Sequence, residues 1–222
     1  MSLLLYGVIE AGGGPVSGVG LEHRELHTVT EGPLAAIVTE HEGAPPEPAI
    51  EALQEYEQTV RLLMSSGAIL PARFGSVLAD ESTVRALLRR RRRDLLARVR
   101  RVRGAVELAL RASWRGAGPK PPGPAATEPL SGTSYLRERL ELRQSARRVA
   151  SELDPLSALS RSSRRTIAPA PGLPVTEAHL VERDRVREFV ALVRQLDDRL
   201  DDVELTCTGP WPPYSFAEGG PV

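Results

Sequence analysis

From residue 104 onward the apolar residues fall into six segments of regular spacing, and the order of those segments restricts the fold more than any single motif. Ala105 to Ala112 alternates, with Val106, Leu108 and Leu110 on one face and Glu107, Ala109 and Arg111 on the other, which predicts a strand. Ser134 to Leu153 carries Leu136, Leu140, Val149 and Leu153 at helical spacing and ends at Asp154-Pro155. Ser160 to Ile167 and Val175 to Val181 predict two strands around a Pro/Gly loop. Asp184 to Leu200 is the most regular helix, with Val186, Phe189, Val190, Val193, Leu196 and Leu200 in one stripe. Val203 to Thr208 closes as a strand. Strand, helix, strand, strand, helix, strand is the split βαβ order of a ferredoxin-like sandwich.

The first half predicts a related α+β layer. Leu3 to Ile9 is apolar and β-prone, and Leu26 to Thr30 and Leu34 to Thr39 flank Glu31-Gly32-Pro33 as a hairpin. A helix from about Glu47 to Ser66 carries Ile50, Leu53, Val60, Leu63 and Met64 in its stripe, with Tyr56 at the edge. Ala68 to Leu78 predicts a strand broken or bulged at Pro71 and Gly75. Asp80 caps a second helix whose apolar face is Val84, Leu88, Leu95, Val99 and Val102. The expectation is α+β with two small domains. One spans 1–103. The other, ferredoxin-like, spans 104–222, with a Pro/Gly-rich loop at 116–129 and a docked aromatic tail at 209–217.

Two stretches stand out as surfaces for a partner. Arg89 to Arg93 are five consecutive arginines, so the run covers every side of its helix. Either the helix leaves the body there or an acidic surface meets it. The tail holds Trp211, Tyr214 and Phe216 behind Gly209-Pro210 and around Pro212-Pro213, a stiff segment whose rings need a groove. That groove belongs either to the protein's own core or to a partner. Arg73 either locks the bulged strand to a helix, with Glu57 as a candidate acid, or meets a partner. The candidate partner-binding residues are therefore Arg73, Arg89, Arg90, Arg92, Arg93, Trp211, Tyr214 and Phe216.

The net charge is zero, and no aromatics accompany the arginines, which argues against a nucleic-acid or acidic-membrane partner. No stretch has the ~20 apolar residues of a membrane span, and the first residues lack the basic start of a signal peptide. A single cysteine, Cys207, fits a reducing cytoplasm. Gly12-Gly13-Gly14-Pro15 has neither the Lys-Ser/Thr ending of a P-loop nor dinucleotide spacing. His23, His27, His41 and His179 lack metal-ligand spacing, and no serine sits in a nucleophile motif. No catalytic, cofactor or metal residue is expected. The rival class is an enzyme or small-molecule sensor, since ferredoxin-like domains host both.

Three stretches carry a family resemblance: Leu4-Leu5-Tyr6-Gly7-Val8, Leu70-Pro71-Ala72-Arg73-Phe74-Gly75-Ser76-Val77, and Leu180-Val181 followed by Thr208-Gly209-Pro210-Trp211-Pro212-Pro213-Tyr214-Ser215-Phe216. In this order they resemble the gas vesicle accessory family that includes the F and L gas vesicle proteins. The resemblance implies a non-enzymatic, cytoplasmic assembly role without a cofactor. It implies association with gas vesicles, and binding of the hydrophobic shell protein and other accessory proteins during nucleation or chaperoning of the shell. The physical logic is that a subunit with a large apolar face aggregates unless it is covered.

Overall fold

The computed structural model describes residues 1–12, 16–116, 132–168 and 172–217. Most of the 116–129 loop expected from sequence, and Gly13 to Pro15, lie outside the described residues. The chain divides into two units, Met1–Val106 with Trp211–Val222, and Glu107–Pro210.

The first unit opens with β1 (Ser2–Glu10), followed by β2 (His27–Glu31), β3 (Leu34–His41), α1 (Ile50–Ser66), β4 (Leu70–Pro71), β5 (Val77–Leu78), α2 (Glu81–Arg90) and α3 (Arg92–Val102). The hairpin forms as the sequence predicts, with Glu31 opposite Leu34 across a turn that holds Gly32 at φ 57°. Its sheet runs β2-β3-β1, and β4 and β5 both pair with β1 on its other side. Leu4, Tyr6, Val29, Ile37, Val60 and Val99 are among the buried residues of this unit.

Two expectations for this unit are corrected. Ile50 is 70% exposed and Leu53 39% exposed, whereas Tyr56 is buried. The core side of α1 is made by Tyr56, Thr59, Val60 and Met64, and its first turn is left uncovered. The second helix is two segments, because Arg91 leaves helical geometry at φ −102° and ψ 14°. Each segment buries its own apolar face, Val84 and Leu88 before the bend and Leu95, Val99 and Val102 after it. None of Arg89 to Arg93 is forced inward, and all five are exposed. Asp80 does cap α2, its carboxylate accepting the Thr83 backbone N–H at 2.7 Å.

The second unit is built on β6 (Ala105–Trp114), α4 (Gly132–Glu152), β7 (Ser162–Ile167), β8 (Val175–Glu182), α5 (Val186–Arg199) and β9 (Val203–Trp211). Its sheet order is β7-β8-β6-β9. Numbered within the unit this is 2-3-1-4, the ferredoxin-like arrangement that the order of periodicities predicted. The core gathers Leu108, Leu110, Val149, Leu153, Phe189 and Val193.

In α4 the expected stripe is rotated. Leu136 and Leu140 are 66% and 54% exposed. The buried face is Leu142, Ala146, Val149, Ala150 and Leu153. At about 100° per residue, Leu140 lies nearly opposite Leu142. In β6 both faces are largely covered, so Glu107 is buried beside Leu108 rather than on an open face. The last strand does not stop at Gly209 but continues to Trp211, ahead of a short helix α6 (Tyr214–Ala217). From Trp211 on, the tail counts with the first unit, not with the ferredoxin-like domain to which the sequence had assigned it. Its hydrogen bonds, described next, explain why.

A groove between the bulge, the first helix and the tail

The Pro71 to Ser76 segment is a wide bulge. Gly7 pairs with Pro71 and Val8 with Leu70, while Leu4 pairs with Val77 and Leu3 with Leu78. Five residues, Ala72 to Ser76, therefore stand opposite only two, Leu5 and Tyr6. The ladder closes at both ends of the bulge: the Ala72 N–H donates to Tyr6 O at 2.9 Å and the Leu5 N–H to Ser76 O at 2.9 Å. Gly75 takes φ +77°, which lets the chain turn back.

The carbonyls inside the bulge need a donor, and α1 brings one. The Tyr56 hydroxyl lies 2.9 Å from Leu5 O, 3.0 Å from Ala72 O and 3.4 Å from Arg73 O. Its ring stacks on Tyr6 at 4.9 Å and meets Phe74 edge-on at 5.4 Å. Burial first, then neighbouring Tyr6 and Glu57, push the Tyr56 hydroxyl far above the ordinary tyrosine range. The group stays protonated and so remains a donor.

The tail forms the other wall. The Tyr214 hydroxyl donates to Glu57 Oε2 at 2.9 Å, Arg61 Nε reaches Glu57 Oε1 at 3.0 Å, and the Arg61 guanidinium lies 4.2 Å from the centre of the Trp211 ring. Burial, and then the Glu57 carboxylate, raise the Tyr214 hydroxyl strongly, which keeps this donor in place as well. Arg98 Nη1 donates to Ala217 O at 3.0 Å and pins the end of α6 to α3. Phe216 is 3% exposed and belongs to the core, which removes it from the candidate contact residues.

What remains between these walls is an open cavity of about 850 Å³. Its apolar lining includes Ile50, Leu53, Phe74 and Trp211, with Arg61 and Arg73 among its charged residues. Of the residues singled out from sequence, Arg73, Trp211 and Tyr214 meet here, and Arg89, Arg90, Arg92 and Arg93 lie outside it on α2 and α3. Sequence reasoning missed Ile50 and Leu53 as surface residues, because helical spacing alone cannot say which part of a stripe finds a neighbour. The spacing of Glu57 and Arg61, four apart on one helix, was a signal for their own ion pair, and not for the contacts of Tyr214 and Trp211 built on it.

A second cavity of about 560 Å³ in the same unit is lined by Ile9, Leu26, Leu62, Leu63 and Val99, with Glu10 and Arg103 among its polar residues. Glu10 is engaged by Arg100 at 3.0 Å and by Arg103, so its charge is already compensated. In the second unit, Ser160 Oγ lies 2.9 Å from His179 Nδ1, and His179 Nε2 lies 2.6 Å from Glu177 Oε2. His179 has no exposure at all, so the ring is closed to any substrate, and Ser160 Oγ also bonds the Leu156 carbonyl at 2.9 Å. Burial raises the Cys207 thiol, which disfavours its thiolate. Among the described residues no group of three His, Cys, Asp or Glu could hold a metal ion, and no helix is long and apolar enough to cross a membrane.

A family model described as "Gas vesicle synthesis protein GvpL/GvpF" matches residues 2–218. Gas vesicle protein L of a Streptomyces species is 32% identical over 185 residues, covering 75% of this chain and 69% of its own length. Gas vesicle protein F2 of Halobacterium salinarum is 27% identical over 222 residues, covering 97% of this chain and 92% of its own. The crystal structure of GvpF from Anabaena superposes with a TM-score of 0.80 at 18% identity over 99% of both chains. That of GvpF from Microcystis aeruginosa gives 0.76 at 17% identity, covering 98% of this chain and 99% of that one. These two structural likenesses concern the fold.

Proposed function

Because the chain belongs to the gas vesicle synthesis protein GvpL/GvpF family, we propose that it serves gas vesicle formation by holding the hydrophobic shell subunit in the groove beside Trp211 while the shell is built. The observation that carries this reading is the pair Ile50 and Leu53, open to solvent on a helix whose next turns are buried. Covering the exposed part of Ile50 favours a complex by about 1–2 kcal/mol, and Leu53, already more than half covered, adds less. Phe74 and Trp211 extend the apolar surface, and Arg61 and Arg73 at its margin orient the guest. The protein acts as a chaperone-like assembly factor without catalysis or cofactor. It works in the cytoplasm in association with gas vesicles, and meets other gas vesicle accessory proteins there. Nucleic acid and membrane are not its partners.

The test is capture of purified shell subunit by the parent, by Ile50→Glu with Leu53→Glu, and by Trp211→Ala with Tyr214→Ala, each checked for folding by circular dichroism. The expected result is at least tenfold weaker capture by both folded variants. Equal capture by all three overturns the groove as the site. No capture by the parent, even with the other vesicle proteins present, overturns the shell subunit as the guest.

A further inference from the structure

Charge in the first unit is sorted along the chain. Between Glu40 and Glu57 stand six glutamates and no arginine or lysine. Between Arg85 and Arg103 stand ten arginines, with Asp94 the only acid. Local carboxylates compensate most of these arginines. Arg85 pairs with Glu81 at 2.7 Å, Arg89 with Glu31 at 2.8 Å, Arg91 and Arg98 with Asp94 at 3.0 and 2.6 Å, and Arg100 and Arg103 with Glu10.

Three arginines are left over at the bend. Arg90, Arg92 and Arg93 are exposed and have no ion pair among the described residues. On the acidic side, Glu55 faces His23 at 3.6 Å and Glu57 is held by Arg61. Glu40, Glu42, Glu47 and Glu51 are exposed and also have no ion pair among the described residues. The described ion pairs of the first unit thus leave these two sets of charges unused.

We infer that a second copy of this chain docks its Arg90–Arg93 bend on the Glu40–Glu51 face of the first, head to tail. The two sets are opposite in sign and similar in number, and the chain as a whole is neutral, so copies approach without net repulsion. Ile50, 70% exposed between Glu47 and Glu51, gives the acidic face an apolar centre that the arginine stems can cover. A contact between two different patches is heterologous, so a docked pair still offers one free patch of each sign, one on each copy, and the association can continue. Nucleic acid is the lesser candidate for the arginines, because no aromatic ring stands among Arg85 to Arg103 to stack a base. Both readings use Ile50, so a docked copy and a shell subunit would compete there; the test of this inference contains no shell subunit, so the two can fail separately.

The experiment is sedimentation velocity on the nuclease-treated full chain at low and high salt. It is repeated with Arg90→Glu, Arg92→Glu and Arg93→Glu combined, with Glu42→Arg, Glu47→Arg and Glu51→Arg combined, and with an equal mixture of the two variants. The expected result is a concentration-dependent rise in mass at low salt that disappears at high salt, as exposed charges are screened. Each triple variant should associate at least tenfold more weakly, and the mixture should regain association, because each reversed patch then meets an opposite one. A monomeric parent at low salt, variants that associate like the parent, or a mixture that does not recover would each overturn the inference. Circular dichroism identifies any triple variant that fails to fold. The single changes Arg93→Glu and Glu51→Arg, alone and mixed, then decide by the same criterion.

Discussion

The Tyr56 hydroxyl donates into the bulge at 2.9 Å from the Leu5 carbonyl oxygen, with the Ala72 carbonyl oxygen 3.0 Å away. One proton on a helix thereby serves the inner edge of a bulge opened by three unmatched residues. Replacement by phenylalanine keeps the ring stack on Tyr6 and removes only that proton. Tyr56→Phe should cost about 1–3 kcal/mol, the penalty for leaving a buried acceptor unpaired. The check is a lower urea midpoint with an unchanged slope in chemical unfolding.

Two glycines bordering the same feature should answer differently to alanine. Around Gly75 nothing lies within 4 Å of an added Cβ, and the difficulty there is its φ of +77° alone. Gly75→Ala should cost about 1 kcal/mol of backbone strain. At Gly7 an added Cβ would sit 2.7 Å from both Ile69 Cδ1 and the Leu70 carbonyl oxygen. A backbone atom cannot step aside, so Gly7→Ala should cost about 3 kcal/mol or lose the β1–β4 pairing altogether. Thermal unfolding of the two variants side by side measures the difference.

Asp80 gives the first unit an acid-sensitive joint. Hydrogen bonds from the Ser82 hydroxyl, then from the Thr83 backbone and hydroxyl, lower its carboxyl from 3.8 to about 2. The folded value lies below the unfolded one, so the stabilisation is present in full above pH 4 and is lost as pH falls towards 2. Asp80→Asn keeps an acceptor but has no charge to lose. The stability gap between parent and variant should be steady from pH 7 to 5 and should close between pH 4 and 2. Unfolding midpoints measured across that range decide the matter.

The chain of polar groups inside the second unit should behave as a unit. Glu177 is bonded by Arg165 and by His179, and Arg165 also reaches Asp154 at 2.7 Å. Glu177→Gln removes the one carboxylate that bonds both the Arg165 guanidinium and the His179 ring, and should cost about 3 kcal/mol. Changing Glu177 and His179 together to leucine should recover part of that loss, because no buried charge is then left without its counterpart. The outcome is read from unfolding of the single and double variants. Capture of the shell subunit by folded protein should be unchanged, since none of these residues lines the groove.

Much of this architecture was legible in the sequence. The spacing of Val186, Phe189, Val193 and Leu196 and the alternation around it set the order of elements, and the sheet follows that order. Pro71 and Gly75 marked the bulge before any pairing was known. What stayed hidden depends on neighbours far away in sequence. No local pattern announces that Tyr214 reaches Glu57 across 157 residues, or that Trp211 leaves one unit to join another. Nor does spacing say that α1 runs past its cover at Ile50, because a helix looks equally amphipathic whether or not something lies against its first turn. The bend at Arg91 had no proline or glycine to mark it, and arginine favours helix on both sides; the one warning was a run that put charge on every side of the helix.

The chain leaves the first unit within β6 and re-enters it within β9, so that unit is assembled from two stretches far apart in sequence. Synthesis runs from one end to the other. A ribosome that has made α1, the bulge and both arginine-bearing helices has still made only part of the groove, and more than a hundred residues must follow before Trp211 and Tyr214 emerge to close it. A copy abandoned partway carries the charges of the first unit but not the aromatic wall. The aromatic wall is therefore added only after the whole second unit has been made, so a finished groove certifies that the intervening chain exists.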